Sequence, residues 1–301
     1  MHIVQPDNTA AIEKSPSAAA YTLEVTGKEI RQIEIAAPLI PPGTPINIAF
    51  LGNENPDQRV NAARVIRECG FEPVPIISSR RLRSEEDLNS LITQLNRAAC
   101  PSRYIFVGGD PATPAGPYTD SLALLASGVL QRHDIHHVGI VGYPDGHPKI
   151  STDKLWHALE WKYQLLRDAH CTLEITTQFG FDTEAIVRWI RQLRDRGIDA
   201  PVNIGVPGPA SISQLLRYAK QFGVVASTEI AGRYGLSLAT LLRKSVADHF
   251  WADLVRGLAE KELGDIGYHL YPFGGIKDGV RWMNSRVCND QPLADSSGLE
   301  V

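Results

Sequence analysis

Glu174-Ile-Thr-Thr-Gln-Phe-Gly-Phe-Asp182 is the stretch on which the fold turns. From Thr172 to Phe179 the residues are β-branched and apolar, as a buried strand requires, and a Gly-Phe-Asp turn follows at once before the helical run Thr183–Arg196. Gln178 therefore stands at the carboxyl end of a strand that leads straight into a helix. In parallel α/β folds that end carries the chemistry, because loops of varying design meet there over a rigid sheet. An amide that both donates and accepts suits a flat heterocycle with alternating donors and acceptors. Capping of the strand end is the competing use of the same side chain.

Outward from this stretch the same alternation repeats. Tyr21–Thr26 reads as a first strand with Glu24 in its middle, and Ile46–Phe50 as a second, reached through Pro38, Pro41 and Pro42 and ending in Gly52-Asn53. Asp57–Gly70 spaces Val60, Ala63, Val65 and Ile66 as a helix closed by a terminal Gly. Strand and helix then alternate: Pro73–Ile77 with Ser84–Ala99, Tyr104–Val107 with Asp120–His133, and Val138–Tyr143 with Thr152–His170. Beyond the quoted stretch, Val202–Val206 precedes Ile212–Phe222, and two further helical runs, Leu236–Lys244 and Ala247–Leu263, lead to Ile266–Tyr271.

Strict alternation forces parallel strands with right-handed crossovers. Eight such units in 301 residues predict one (β/α)8 barrel, a TIM barrel, over 21–287, with a polar disordered arm at 1–20 and a tail at 288–301. An open doubly wound sheet is the competitor. Against it, no strand runs into the GxGxxG turn of a dinucleotide-binding fold. Tyr104-Ile-Phe-Val-Gly-Gly-Asp110 has two glycines, but Asp110 stands where a helix start should meet phosphate, and Pro111 and Pro114 follow.

Composition narrows the function. A formal net charge of −4, with no run of Lys and Arg interleaved with aromatics, gives no support for a nucleic-acid partner. Arg80-Arg81-Leu82-Arg83 is the densest basic cluster and reads as a solvated loop. The four cysteines lie far apart with no CxxC pair, which disfavours zinc or a secreted disulfide framework and makes a reducing cytoplasm the simplest home. No apolar run approaches the ~20 residues of a membrane span, and no signal peptide is expected.

At the strand ends a barrel gathers Asp110, Tyr143 and Gln178, with the loops around Gly52, Gly205 and Gly274. Glu24 is expected to point into the barrel or its mouth, where burial moves a carboxyl towards the range of a useful general acid; a solvent-facing Glu is the alternative. His147 sits at the tip of the turn Tyr143-Pro-Asp-Gly-His-Pro148, as a phosphate contact or an ordinary loop residue. No further ligands lie at metal spacing, and no GxSxG elbow supplies a nucleophile. His136-His137 precedes its strand, at the face where function is not expected.

These residues together resemble the methylenetetrahydrofolate reductases. The matches are Leu23–Val25 (Leu-Glu-Val), 108–110 (Gly-Gly-Asp), 143–148 (Tyr-Pro-x-x-His-Pro), 177–182 (Thr-Gln-Phe-x-Phe-Asp) and 205–207 (Gly-Val-Pro), in order at successive strand ends. The resemblance implies the (β/α)8 fold and a ping-pong oxidoreductase that passes hydride from NADH or NADPH, through FAD, to 5,10-methylenetetrahydrofolate, giving 5-methyltetrahydrofolate. It implies Glu24 as general acid and Asp110 as the carboxylate beside flavin and pterin. Gly109, Asp110, Thr119, Tyr143, His147 and Lys162 fall on FAD contacts, with Arg167 as the alternative to Lys162. Gln178, Gln214 and Tyr218 fall on substrate contacts, Tyr218 stacking on whichever substrate is present.

The chain also departs from the pattern. Ile76 stands where many members carry His, Gly108 replaces a common Arg, Gly180 replaces an aromatic, and Tyr271-Pro-Phe-Gly-Gly275 lacks the late Arg that helps bind the dinucleotide. A folate-binding barrel that has lost FAD is the alternative these losses leave open. Homo-oligomerisation stays open too.

Overall fold

The computed structural model describes residues 21–50, 55–222, 246–259 and 263–288. Eight strands, β1 (Thr22–Thr26), β2 (Pro45–Ala49), β3 (Glu72–Ser78), β4 (Tyr104–Val107), β5 (His137–Gly142), β6 (Thr172–Thr177), β7 (Val202–Pro207) and β8 (Ile266–Tyr271), close into a barrel in sequence order. Neighbouring strands are parallel throughout, β8 returning to β1 through Thr22–His269 and Leu23–Leu270. The expected (β/α)8 barrel is therefore the observed one. The arm at 1–20, the tail from 289, Gly52 and the run Leu236–Lys244 lie outside the described residues.

The helices are α1 (Ile30–Ala36), α2 (Pro56–Glu68), α3 (Glu85–Ala99), α4 (Ser121–Leu125), α5 (Val129–Arg132), α6 (Thr152–Asp168), α7 (Thr183–Asp195), α8 (Ile212–Phe222), α9 (Val246–Leu258) and α10 (Ile276–Val287). Their starts follow from local chemistry. Asn55 and Gln58 form a reciprocal capping box on α2, and Ser84, Asp120 and Asp182 each accept a main-chain N–H two or three residues into their helices. The helix expected over 120–133 divides at Gly128, whose φ of +78° no helix interior accepts. Two helices lie beyond the sequence expectation. α1 occupies a stretch that reads as part of a Pro-rich connection, and α10 buries Ile276, Val280 and Met283 at helical spacing and packs on α1.

Alternation along each strand divides the side chains. Leu23, Val25, Ile46, Ile48, Ile175, Val206 and Leu270 are fully buried in one core shared with the helices. The other row faces the barrel interior and is unusually polar. At the amino end Glu174 meets Arg103 (3.5 Å), His137 (3.8 Å) and Asn203 Nδ2 (3.3 Å). Glu174, at the head of the strand that leads to Gln178, is thus part of a structural ion network. Burial pushes the His137 imidazole below its ordinary range, the Glu174 carboxylate opposing that shift.

Candidate functional site at the carboxyl end of the barrel

Glu24 faces inward. It pairs in register with Asn47 of β2, its side chain is 22% exposed at the mouth, and its Oε2 lies 3.4 Å from His269 Nε2. His269 is completely buried, and its Nδ1 shares a 2.6 Å hydrogen bond with Thr22 Oγ1. The solvent-facing alternative for Glu24 is excluded. Tyr271 stands edge-on to His269 at 4.7 Å, and its hydroxyl donates to Thr177 O (3.2 Å). Burial, then the charges of Glu24 and Tyr143, push that hydroxyl well above its ordinary pKa.

On the opposite side, β4 ends in Gly108-Gly109-Asp110. Gly109 has φ +92° and no room for a Cβ, which would lie 2.1 Å from Ser78 Oγ. Asp110 is 75% exposed and ion-paired to Arg81. Thr119 is exposed at the end of the same loop, its hydroxyl donating to Asp120 (3.3 Å). Asp120 in turn acts electrostatically on Lys162, a buried α6 side chain whose ammonium falls to a pKa of about 8 because desolvation outweighs that attraction. Tyr143 and His147 pack edge to face at 5.3 Å, and burial lowers the His147 imidazole and raises the Tyr143 hydroxyl. The expected cofactor contacts thus form two groups, Gly109–Asp110 and Tyr143–His147, with Thr119 linked to Lys162 through Asp120.

The expected substrate contacts lie at the ends of β6 to β8. Gln178 is half-buried, and its Oε1 accepts from the Phe179 N–H (3.1 Å), which is the strand-capping use of this side chain. Its amide nitrogen makes no hydrogen bond among the described residues. Gln214 is engaged in a capping box, accepting from Ser211 N (3.0 Å) and Oγ (2.8 Å) while Ser211 Oγ accepts from its N–H (3.3 Å). Tyr218 stacks on Phe273 (4.4 Å, 20°), which meets Phe179 (4.7 Å) and lies parallel to Tyr271 (5.7 Å). An aromatic shelf therefore connects Tyr218 to His269 and so to Glu24.

Sequence reading missed His269, Tyr271, Phe273 and Arg81. The first three stand at i, i+2 and i+4, the spacing of one face of a strand and its extension, which is a signal the sequence did carry. Arg81 carried none, since nothing local distinguishes it from Arg80 and Arg83. A cleft of about 310 Å³ between α6 and α7, walled by Tyr143, Asp145, Trp156, Arg188 and Trp189, includes neither Glu24, Asp110 nor Gln178. No helix among the described residues is long and apolar enough to cross a membrane, and no cluster of metal-ligating side chains occurs among them.

No family model matches the chain. Methylenetetrahydrofolate reductase 2 of Saccharomyces cerevisiae is 30% identical over 89 residues, which are 30% of this chain and 14% of the yeast protein. Among solved structures, an uncharacterized protein from Clostridium thermocellum that binds two copies of 5-methyl-5,6,7,8-tetrahydrofolic acid superposes with a TM-score of 0.59 at 12% identity, over 90% of this chain and 94% of that one. Dihydropteroate synthase from Thermus thermophilus superposes at 0.47 and 11% identity, over 88% and 92%. The Clostridium likeness is one of fold, and the yeast match is a partial one that spans about a seventh of that protein's length.

Proposed function

We propose that this barrel is a flavin-dependent reductase of 5,10-methylenetetrahydrofolate, drawing hydride from NADH or NADPH. The observation that carries the reading is Glu24, an inward carboxylate 3.4 Å from the buried His269 of the His269–Thr22 pair, beside an aromatic shelf. The partial match to the yeast reductase and the five strand-end motifs support it. Opening the methylene bridge requires a proton at the departing nitrogen, and Glu24 is the acid placed to give it. Tyr218 and Phe273 offer a face on which a pterin or nicotinamide ring stacks, and the Gln178 amide nitrogen is left to orient it. Asp110, ion-paired to Arg81, is the carboxylate that a cationic folate would face, its charge partly offset by that arginine.

The chain's residues fit FAD. Gly109 keeps the backbone after β4 bare, with Ser78 Oγ beside it, and the buried Lys162 ammonium is a cation that burial penalises and a phosphate would restore. Gly109, Asp110, Thr119, Tyr143, His147 and Lys162 would hold it. FAD, when bound, relays hydride between nicotinamide and folate. The test is the colour of the purified protein: the reading expects a yellow protein, or one that takes up added FAD, bleached by NADH. A colourless protein that refuses FAD but binds 5-methyltetrahydrofolate would favour a folate barrel without redox chemistry, the reading to which Ile76 and Gly108 point.

A further inference from the structure

The turn after β3, read from sequence as a solvated loop, is instead built into the mouth. Ser79 Oγ donates to Val107 O (2.7 Å) and Arg80 N to Gly108 O (2.9 Å). The Arg80 guanidinium donates to the carbonyls of Pro111 (2.7 Å), Ala112 and Thr119 (3.0 Å), clamping the whole loop that follows β4. Its bonds all go to neutral acceptors, and among the described residues it meets no carboxylate. Arg81 turns the other way: its side chain is 19% exposed, lies 4.8 Å over the Phe50 ring and pairs with Asp110.

Two polar atoms here are sealed from water without a hydrogen-bond partner among the described residues, Ser78 Oγ and Arg81 Nε. Ser78 is 6% exposed. Both border the same turn at the ends of β3 and β4: Ser78 Oγ abuts Gly109, and Arg81 grips the next residue through its terminal nitrogen. A donor sealed from water without an acceptor is costly to leave unmet. One kind of atom answers both, an acceptor oxygen, and the uncancelled charge of Arg80 favours one that is anionic. The open side is at Gly108, where a Cβ would meet nothing within 4 Å, whereas Ser78 Oγ itself fills the space beside Gly109. The exposed Asp110 carboxylate opposes an anion, and Arg81 already offsets it.

We propose that Ser78 and Arg81 form an oxyanion-holding corner at the ends of β3 and β4, the seat of an acceptor oxygen of a phosphorylated flavin, from its diphosphate or from the carbonyl edge of its ring. Naming a flavin rests on the function proposed above; the corner itself does not. Dissociation constants of inorganic pyrophosphate, FAD and riboflavin are measured at fixed ionic strength for the wild type, Arg81→Gln and Ser78→Ala, with melting curves to report folding.

For a diphosphate, Arg81→Gln weakens pyrophosphate and FAD by about tenfold or more and spares riboflavin. For the ring edge, FAD and riboflavin weaken together and pyrophosphate is indifferent. Ser78→Ala follows the same pattern at about threefold, and decides the matter alone should Arg81→Gln not fold. The corner is overturned when both variants bind all three probes within about twofold of the wild type, or when the wild type binds none of them. A wild type that holds pyrophosphate through Arg81 but refuses FAD keeps the corner and removes the flavin reading.

Discussion

Each end of the barrel carries a glutamate beside a histidine, and the two pairs are put to opposite uses. At the amino end Glu174 lies 3.8 Å from His137, but Arg103 and Asn203 also reach it, so its charge is met and its lone pairs are occupied. At the carboxyl end Glu24 lies 3.4 Å from His269, and His269 is turned by Thr22 so that its other nitrogen faces the carboxylate. No Arg or Lys is ion-paired with Glu24 among the described residues. A carboxylate clamped by a guanidinium is a poor proton donor, whereas one whose partner is an imidazole can exchange a proton with ligand or solvent. Residue type does not separate the two ends; the surrounding cations do.

The sharpest way to break this contrast is to neutralise each carboxylate. Glu24→Gln is expected to lose folate reduction by ~10²–10⁴-fold, the usual effect of a missing general acid, while NADH still bleaches bound flavin at near the wild-type rate. Stopped-flow traces of the two half-reactions separate these, and equal slowing of both would assign Glu24 a structural role. Glu174→Gln is expected to do the reverse, leaving both half-reactions intact but costing about 1–3 kcal/mol of stability, because the half-buried Arg103 guanidinium is left without its carboxylate acceptor. Chemical denaturation measures it. An active-site defect in this variant would erase the distinction between the ends.

Smaller effects sharpen the description of the mouth. Tyr218→Ala removes one layer of the shelf and should weaken folate and NAD(P)H together by roughly 1–2 kcal/mol, near the scale of an aromatic stacking contact. Movement of one KM alone would mean the two substrates do not share this surface. Lys162 has its folded pKa lowered to about 8, so the folded protein holds fewer protons than the unfolded chain between that value and the ordinary lysine range. Stability from this group is therefore lowest below pH 8 and rises as pH increases towards ~10.4. Lys162→Met should raise the melting temperature at pH 7 and weaken FAD, and a variant that melts lower at pH 7 would show that the buried ammonium is already compensated.

Much of the frame was legible in sequence because it rests on local periodicity. The strand expected over Thr172–Phe179 begins at Thr172 and ends two residues early, at Thr177; the Thr183 helix starts where expected, and Asp182 caps α7 as a short acidic side chain there should. The helix over 120–133 failed at Gly128, where a left-handed residue outweighed an apolar pattern that runs across it. α1 was hidden by prolines that follow it, and α10 by its place after the last strand, where the alternation is already complete. In the site, Gln178 was singled out as an amide at a strand end, and Gln214 on the following helix through the family resemblance. Their oxygens are occupied by Phe179 and by the Ser211 cap, contacts that are local in the chain.

The sequence alone determined the alternation of eight strands with helices, since β-branched runs and helical spacing act over a few residues. It also singled out Glu24 as an inward candidate, because a carboxylate in the middle of a strand is costly to bury without purpose. Tertiary structure decided what Glu24 touches: closure of β8 on β1 brings His269 to a residue 245 positions earlier in the chain. It likewise decided that Arg81, one arginine among three, turns inward to Asp110 and Phe50, while Arg80 ties down a loop and Arg83 pairs with Asp87. Charge and solvation at a site depend on groups from distant segments, and those become neighbours only when the barrel closes.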